Sequence, residues 1–340
     1  MSAVSPPTLH LFYPDPVSAE ERAGAIPPGR PGRFVWTVRT FVHLSRLGVP
    51  CRLVDRIPDE GIVVTHRELL PTWLRPNERQ LFVCVVADFY RHPFAQLHVV
   101  QNGLDPMLTG PSAAWPATYI PLWPEYDLVP RDPARGDALR NVSYFGLPQR
   151  LAPQLRGTRF ATRMREEGFD FRVMPRERWH DYSDTDAVLA VRSFAPVSFH
   201  KFPPSKLYNS WLAGVPALLG RESAYRAERR SEHDYLEVRD ADDVLRALQR
   251  LRDEPSLRAD MARVGAKRAA DITPEKMAAR WMDFLLEDAV PAYLDWRMRS
   301  SASRAAYFAT RLARYEAFTA GDIAGRGVRL VRKQLSAMVP

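Results

Sequence analysis

Residues 200–225 read HKFPPSKLYNSWLAGVPALLGRESAY, and this stretch decides the fold. Pro203-Pro204 forces a turn, and Ser205 stands where a helix N-cap is expected. Leu207, Trp211 and Leu212 recur at helical spacing, which predicts a short helix with one apolar face. Gly214 is its expected stop. Val215-Pro216-Ala217-Leu218-Leu219, closed by Gly220, reads as a buried parallel strand. Lys201 and Lys206 flank the turn. Helix-start amides beside two ammonium groups make a candidate anion site that suits a diphosphate.

Around this stretch, residues 141–145 (NVSYF), 171–174 (FRVM), 187–191 (AVLAV) and 235–238 (YLEV) read as further short strands. Helices are predicted over 242–251, 255–270 and 274–287. That alternation is the pattern of a doubly wound α/β unit, whose ligands bind beyond the strand carboxyl ends. The first part of the chain has its own set of apolar strands, over 9–13, 51–54, 61–65, 81–87 and 97–101. A helix is predicted over 34–47, stopped by Gly48. Runs this continuously apolar point to a parallel sheet covered on both faces. Residues 103–135 are proline-rich and cannot form a long helix, so the connection between the two units falls near their end. After Pro291 the pattern is helical, over 292–298, 302–318 and 328–338.

The central stretch resembles the nucleotide-sugar-binding segment of GT-B glycosyltransferases, in particular bacterial ones of a Lys-Pro-x-x-Lys-Leu type. The resemblance implies an α/β fold of two Rossmann-like domains facing a cleft, with C-terminal helices crossing back. The expected division is an acceptor domain over 1–138, a donor domain over 139–290 and a helical tail over 291–340. Many retaining members carry two glutamates separated by seven residues before Gly-x-Pro. Aligning Gly214-Val215-Pro216 on that triplet puts Lys201 and Asn209 at those positions. The spacing is kept but neither acid is, which leaves the stereochemical outcome open.

Composition narrows the class. The chain has 340 residues, long for one core, and its 46% hydrophobic and 11% aromatic content is that of globular proteins. No apolar run approaches the roughly 20 residues that span a bilayer. The first residues show no basic start followed by an apolar run, so no secretory leader is expected. Cys51 and Cys84 lie in strand-like segments, which fits reduced thiols and a cytoplasmic location. The net charge of +8 suits an anionic partner and equally an ordinary arginine-rich protein.

Several residues sit where chemistry is expected. Lys201 and Lys206 are candidates to hold the diphosphate, with Ser205 at the helix start and Asn209 one turn after Lys206. Arg192 and Ser193 follow the strand 187–191; Arg192 either pairs with a phosphate or bridges Asp184 or Asp186. Gly146 occupies the matching edge of the strand 141–145, where close approach of a ligand favours glycine. Trp179, His180 and Tyr182 fall where a nucleotide base would stack or a core would fill. Asp88 and His66 each follow an N-terminal strand, so either is a candidate base for the acceptor hydroxyl, with helix capping as the rival role. No spacing resembles a zinc site, and no metal or cofactor is expected.

The resemblance implies transfer of a sugar, hexosyl or related, from a nucleotide-sugar to a glycan or glycolipid acceptor in bacterial surface assembly. Two rival readings are an epimerase of the same fold and a non-catalytic protein that binds nucleotide or glycan. The C-terminal segments carry Arg304, Arg311, Arg314, Arg326, Arg329, Arg332 and Lys333 beside apolar residues. That pattern fits either a peripheral contact with an anionic inner membrane face or a packed helix with a basic exposed side. Nucleic acid is not an expected partner, because no recognised module accompanies the basic residues.

Overall fold

The computed structural model describes the backbone of residues 7–27, 29–109, 115–125, 127–195 and 197–337, and side chains as far as residue 321. Two parallel sheets organise it. The first contains β1 (Leu9–Phe12), β2 (Cys51–Val54), β3 (Gly61–His66), β4 (Gln80–Val85), β5 (Leu97–Val100) and β6 (Ala117–Tyr119), in the order β2-β1-β3-β4-β5-β6. Every residue of β3 and β4 is buried, as expected for strands covered on both faces. β6 was not predicted, because it lies inside the proline-rich stretch. Pro116 precedes it and accepts from the His98 amide through its carbonyl, while an edge strand does not need the donor a proline lacks.

The second sheet contains β7 (Asn141–Tyr144), β8 (Asp170–Val173), β9 (Ala187–Ala190), β10 (Ala217–Leu219) and β11 (Leu236–Glu237), in the order β11-β10-β9-β7-β8. A helix over Thr158–Glu166, also not predicted, packs on β8 through buried Phe160 and Met164. Only those two large apolar side chains mark it among TRFATRMRE, too few for a clear period. The Ser205–Ala213 helix ends as predicted at Gly214, whose φ of 70° is left-handed. The Val215 amide then returns to the Ser210 carbonyl, a Schellman closure. Gly265 lets the Pro255–Ala269 helix approach closely, since a Cβ there would stand 3.1 Å from Trp211.

One helix carries the chain back to the first sheet. It runs from Pro274 to Met298 without a break at Pro291, widening to π turns over Leu285–Ala289. The hydrogen bond that Pro291 cannot donate falls in this widened segment. The helix packs on Thr40–Arg46 and on β3 and β4, and Trp296 Nε1 donates to the Asn77 carbonyl at 2.7 Å. Buried side chains such as Phe284 contribute about 1.5–3 kcal/mol each to that contact. Ser301–Ala337 follows as one helix where two were predicted. Its first half is packed: Phe308 meets Phe94 and Trp296, and Arg311 is buried. Arg326, Arg329, Arg332 and Lys333 lie outside the described side chains. Among the described residues no helix is long and apolar enough to cross a membrane.

Candidate active site

The carboxyl ends of the two sheets meet. Asp88, three residues after β4, donates its amide to the Lys201 carbonyl at 3.1 Å. Asn102, just after β5, donates to Ser223 beyond β10 at 2.8 Å. Tyr119 at the end of β6 lies 3.1 Å from the Tyr208 hydroxyl. Chemistry placed by either sheet at its carboxyl edge therefore converges on one cleft.

Asp88 sits at its centre. Its φ of 64° is left-handed, unusual for a residue other than glycine, and the turn is closed by the Phe89 amide on the Val86 carbonyl. No helix starts there, which removes the capping role. Its side chain reaches water yet is crowded by protein, and this crowding raises the carboxyl above the ordinary aspartate value. Arg192, Arg150, Lys206 and Lys201 pull the other way. Four cations of the facing unit thus act on one carboxylate.

His66 has a different part. It is 3% exposed, its Nε2 donates to the Ala87 carbonyl at 3.1 Å, and its Nδ1 accepts from the Glu68 amide. Burial lowers its pKa to about 4, so the ring is neutral with both nitrogens engaged. It cannot take a proton without breaking one of these bonds. It holds the turn that carries Asp88, and its edge meets the Phe89 ring.

On the facing side, the Ser205–Ala213 helix starts at Ser205 itself. Pro204 is the N-cap, so Ser205 is the first helical residue and not the predicted cap. Ser205 and Lys206 present helix-start amides for which the helix supplies no acceptor. Burial and then the Arg192 charge lower Lys206 to about 8, and its Nζ lies 5.5 Å from the Trp179 ring centre. Lys201 Nζ sits 4.4 Å over Tyr90, across the cleft. Asn209 is 5% exposed and adjoins the Tyr182 hydroxyl, so it belongs to the packed side of the helix. Tyr182 stacks on Phe145 in the core, with ring centres 3.9 Å apart.

Arg192 pairs with neither Asp184 nor Asp186. Asp186 accepts from Arg131 and Arg135, and Asp184 from Arg172. The partner of Arg192 is Glu222, 2% exposed, which also accepts the Arg192 amide at 3.2 Å. Burial alone would lower the Arg192 pKa, but Glu222 more than offsets it. The guanidinium is 4.5 Å over Phe202. Ser193 turns its hydroxyl back to the Ala195 amide. Gly146 is needed for its neighbour, since a Cβ would stand 2.7 Å from the Tyr144 hydroxyl.

Arg150 and Glu222 were missed. Each follows a strand of the second sheet at its carboxyl edge, the signal that selected Arg192. Among the described residues no group of three or more His, Cys, Asp or Glu could hold a metal ion.

No protein-family model matches the chain, and no curated protein matches it. Solved structures do. Anabaena Alr3699/HepE in complex with UDP-glucose is 11% identical, with a TM-score of 0.53, covering 83% of this chain and all of its own. The same protein with UDP gives 13% identity and a TM-score of 0.50 over the same shares. The likeness is one of fold: two Rossmann-like α/β units, the GT-B architecture.

Proposed function

We propose that this protein transfers a sugar from a nucleotide-sugar donor to an acceptor hydroxyl. The observation that carries the reading is the meeting of the two sheets' carboxyl edges, which sets Asp88 against the segment of Lys201 and the start of the Ser205–Ala213 helix. HepE, of the same fold, was solved with UDP and with UDP-glucose, which supports a uridine donor as the first to test. In this reading residues 139–290 hold the donor, residues 1–138 the acceptor, and the tail from 291 joins them.

The donor diphosphate lies at the start of the Ser205–Ala213 helix, against its free amides, Lys206, Lys201 and the outward side of Arg192. As the acceptor oxygen bonds to the anomeric carbon, the bond from that carbon to the diphosphate breaks, and the cations take up the charge left on phosphate. The acceptor proton passes to Asp88. Its raised pKa suits that step, and a diphosphate among the cations would screen their pull and raise its basicity further. Phe89, 39% exposed, and Tyr90 flank Asp88 and supply aromatic surface to an acceptor sugar. Hexosyl transfer, independence from a divalent ion, and a role in polysaccharide or glycolipid assembly at the inner membrane face complete the proposal.

Calorimetry with UDP and a turnover assay with UDP-glucose across glycan and glycolipid acceptors test it. UDP binding that is weakened in Lys206→Ala supports the donor site. A protein that binds no nucleoside diphosphate at all overturns the reading.

A further inference from the structure

At the opposite end of the first sheet, the amino ends of β5 and β6 face the two terminal helices across a concavity of about 420 Å³. Its charged lining is uneven. Arg299, Arg311 and Arg314 face it, against the single carboxylate of Asp295, which already pairs with Arg299 at 2.8 Å. The hydroxyls of Ser303 and Thr310 lie along the same helix face.

Arg311 is the unusual member. It is 4% exposed, clasped between the Trp115 and Tyr307 rings at 5.3 and 4.7 Å, and among the described residues no carboxylate pairs with it. Its Nη1 has no hydrogen-bond partner. Tyr307, its polar neighbour, directs its own hydroxyl to the Phe94 and Ala95 carbonyls. Burial moves Arg311 below the ordinary arginine value; the Tyr307 hydroxyl beside it pulls the other way, and the Arg314 and Arg299 charges add to the fall. Burying a charge without a partner is costly, and proteins seldom leave one so. Arg268, 6% exposed, is by contrast held beside the carboxylates of Glu228 and Asp234.

We infer that this concavity is a second anion site, distant from the cleft, in which a phosphate group supplies the counter-charge that no described residue gives Arg311. Arg314 and the hydroxyls of Ser303 and Thr310 complete its contacts. The phosphate is that of a small phosphorylated ligand or of an acidic lipid headgroup. Its chemistry is the same in either case: a dense negative charge with several acceptor oxygens, matched to guanidinium donors.

Thermal unfolding is followed with inorganic phosphate, against chloride at equal ionic strength, in the full chain. Phosphate is expected to raise Tm in a saturable way. The exposed changes Arg314→Ala and Ser303→Asp should weaken that response about tenfold or more, the size expected on losing one charged contact. Arg311→Gln should abolish it. Lys206→Ala should leave it intact, which separates this site from the cleft. Vesicles of phosphatidylglycerol in phosphatidylcholine form the second arm. Sedimentation lost in Ser303→Asp and Arg314→Ala assigns the site to a headgroup, even where free phosphate has no effect. Three results overturn the proposal: no response to either probe, a phosphate response lost in Lys206→Ala but kept in the other variants, or vesicle binding indifferent to both exposed changes without a phosphate response.

Discussion

Two arginines show how differently this molecule treats charge at its two ends. Arg192, half-buried at the cleft, is balanced by the buried carboxylate of Glu222 and keeps its charge despite its partial burial. Arg311, below the first sheet, has aromatic rings on either side and no carboxylate among the described residues. At the cleft the fold supplies its own counter-ion to Arg192. At the far end no described residue supplies one.

The largest effect tests the paired side. Glu222→Gln keeps the shape but strands the Arg192 charge, and stability should fall by about 3–5 kcal/mol, the cost of breaking a buried pair. Urea denaturation measures it, and a loss below about 1 kcal/mol would mean that water already reaches the guanidinium.

Asp88→Asn comes next. It preserves the turn, because asparagine tolerates the left-handed conformation, and removes only the basicity. Turnover should drop about 10²-fold or more with UDP affinity unchanged. Near-normal turnover would return Asp88 to a structural role.

Lys206→Ala should weaken UDP binding by about 1.5–3 kcal/mol, the range for hydrogen bonds to charged groups. The pH dependence follows from its lowered pKa. Below about 8 the ammonium is charged and attracts the diphosphate; as pH rises through about 8 it is neutralised, and affinity should fall. Titration calorimetry between pH 6.5 and 9.5 (chosen to bracket that value) should show the decline in wild type and a flatter profile in Lys206→Ala. Equal slopes in both proteins would remove Lys206 from the site.

The smallest effect sharpens the contrast. Arg311→Met keeps an unbranched chain between the two rings and strands no carboxylate, so stability without anion should stay within about 1 kcal/mol of wild type. A loss as large as that of Glu222→Gln would show that Arg311 is already balanced.

Much of this was legible in the sequence. Most strands of the first sheet announce themselves by continuous apolar runs, and Gly214 and Gly48 end their helices where expected, because those signals depend on neighbours in the chain. The same local logic placed Lys206, Arg192 and Asp88 at strand or helix ends. Elements with weak local signals were lost. β6 hides among prolines, the Thr158–Glu166 helix has two large apolar residues, and the break expected at Pro291 is absorbed by π turns.

Partnership was the part that only the tertiary structure decided. Asp184 and Asp186 are close to Arg192 in sequence, yet Glu222, thirty residues away, is its partner, because β9 and β10 lie side by side. His66 and Asp88 looked equivalent as strand-end residues, and only the packing of β3 on β4 set one under the other's turn, buried and already hydrogen-bonded. Periodicity reports which face of an element is apolar. Which charge meets which depends on strand order and burial, through contacts between residues that local sequence does not connect.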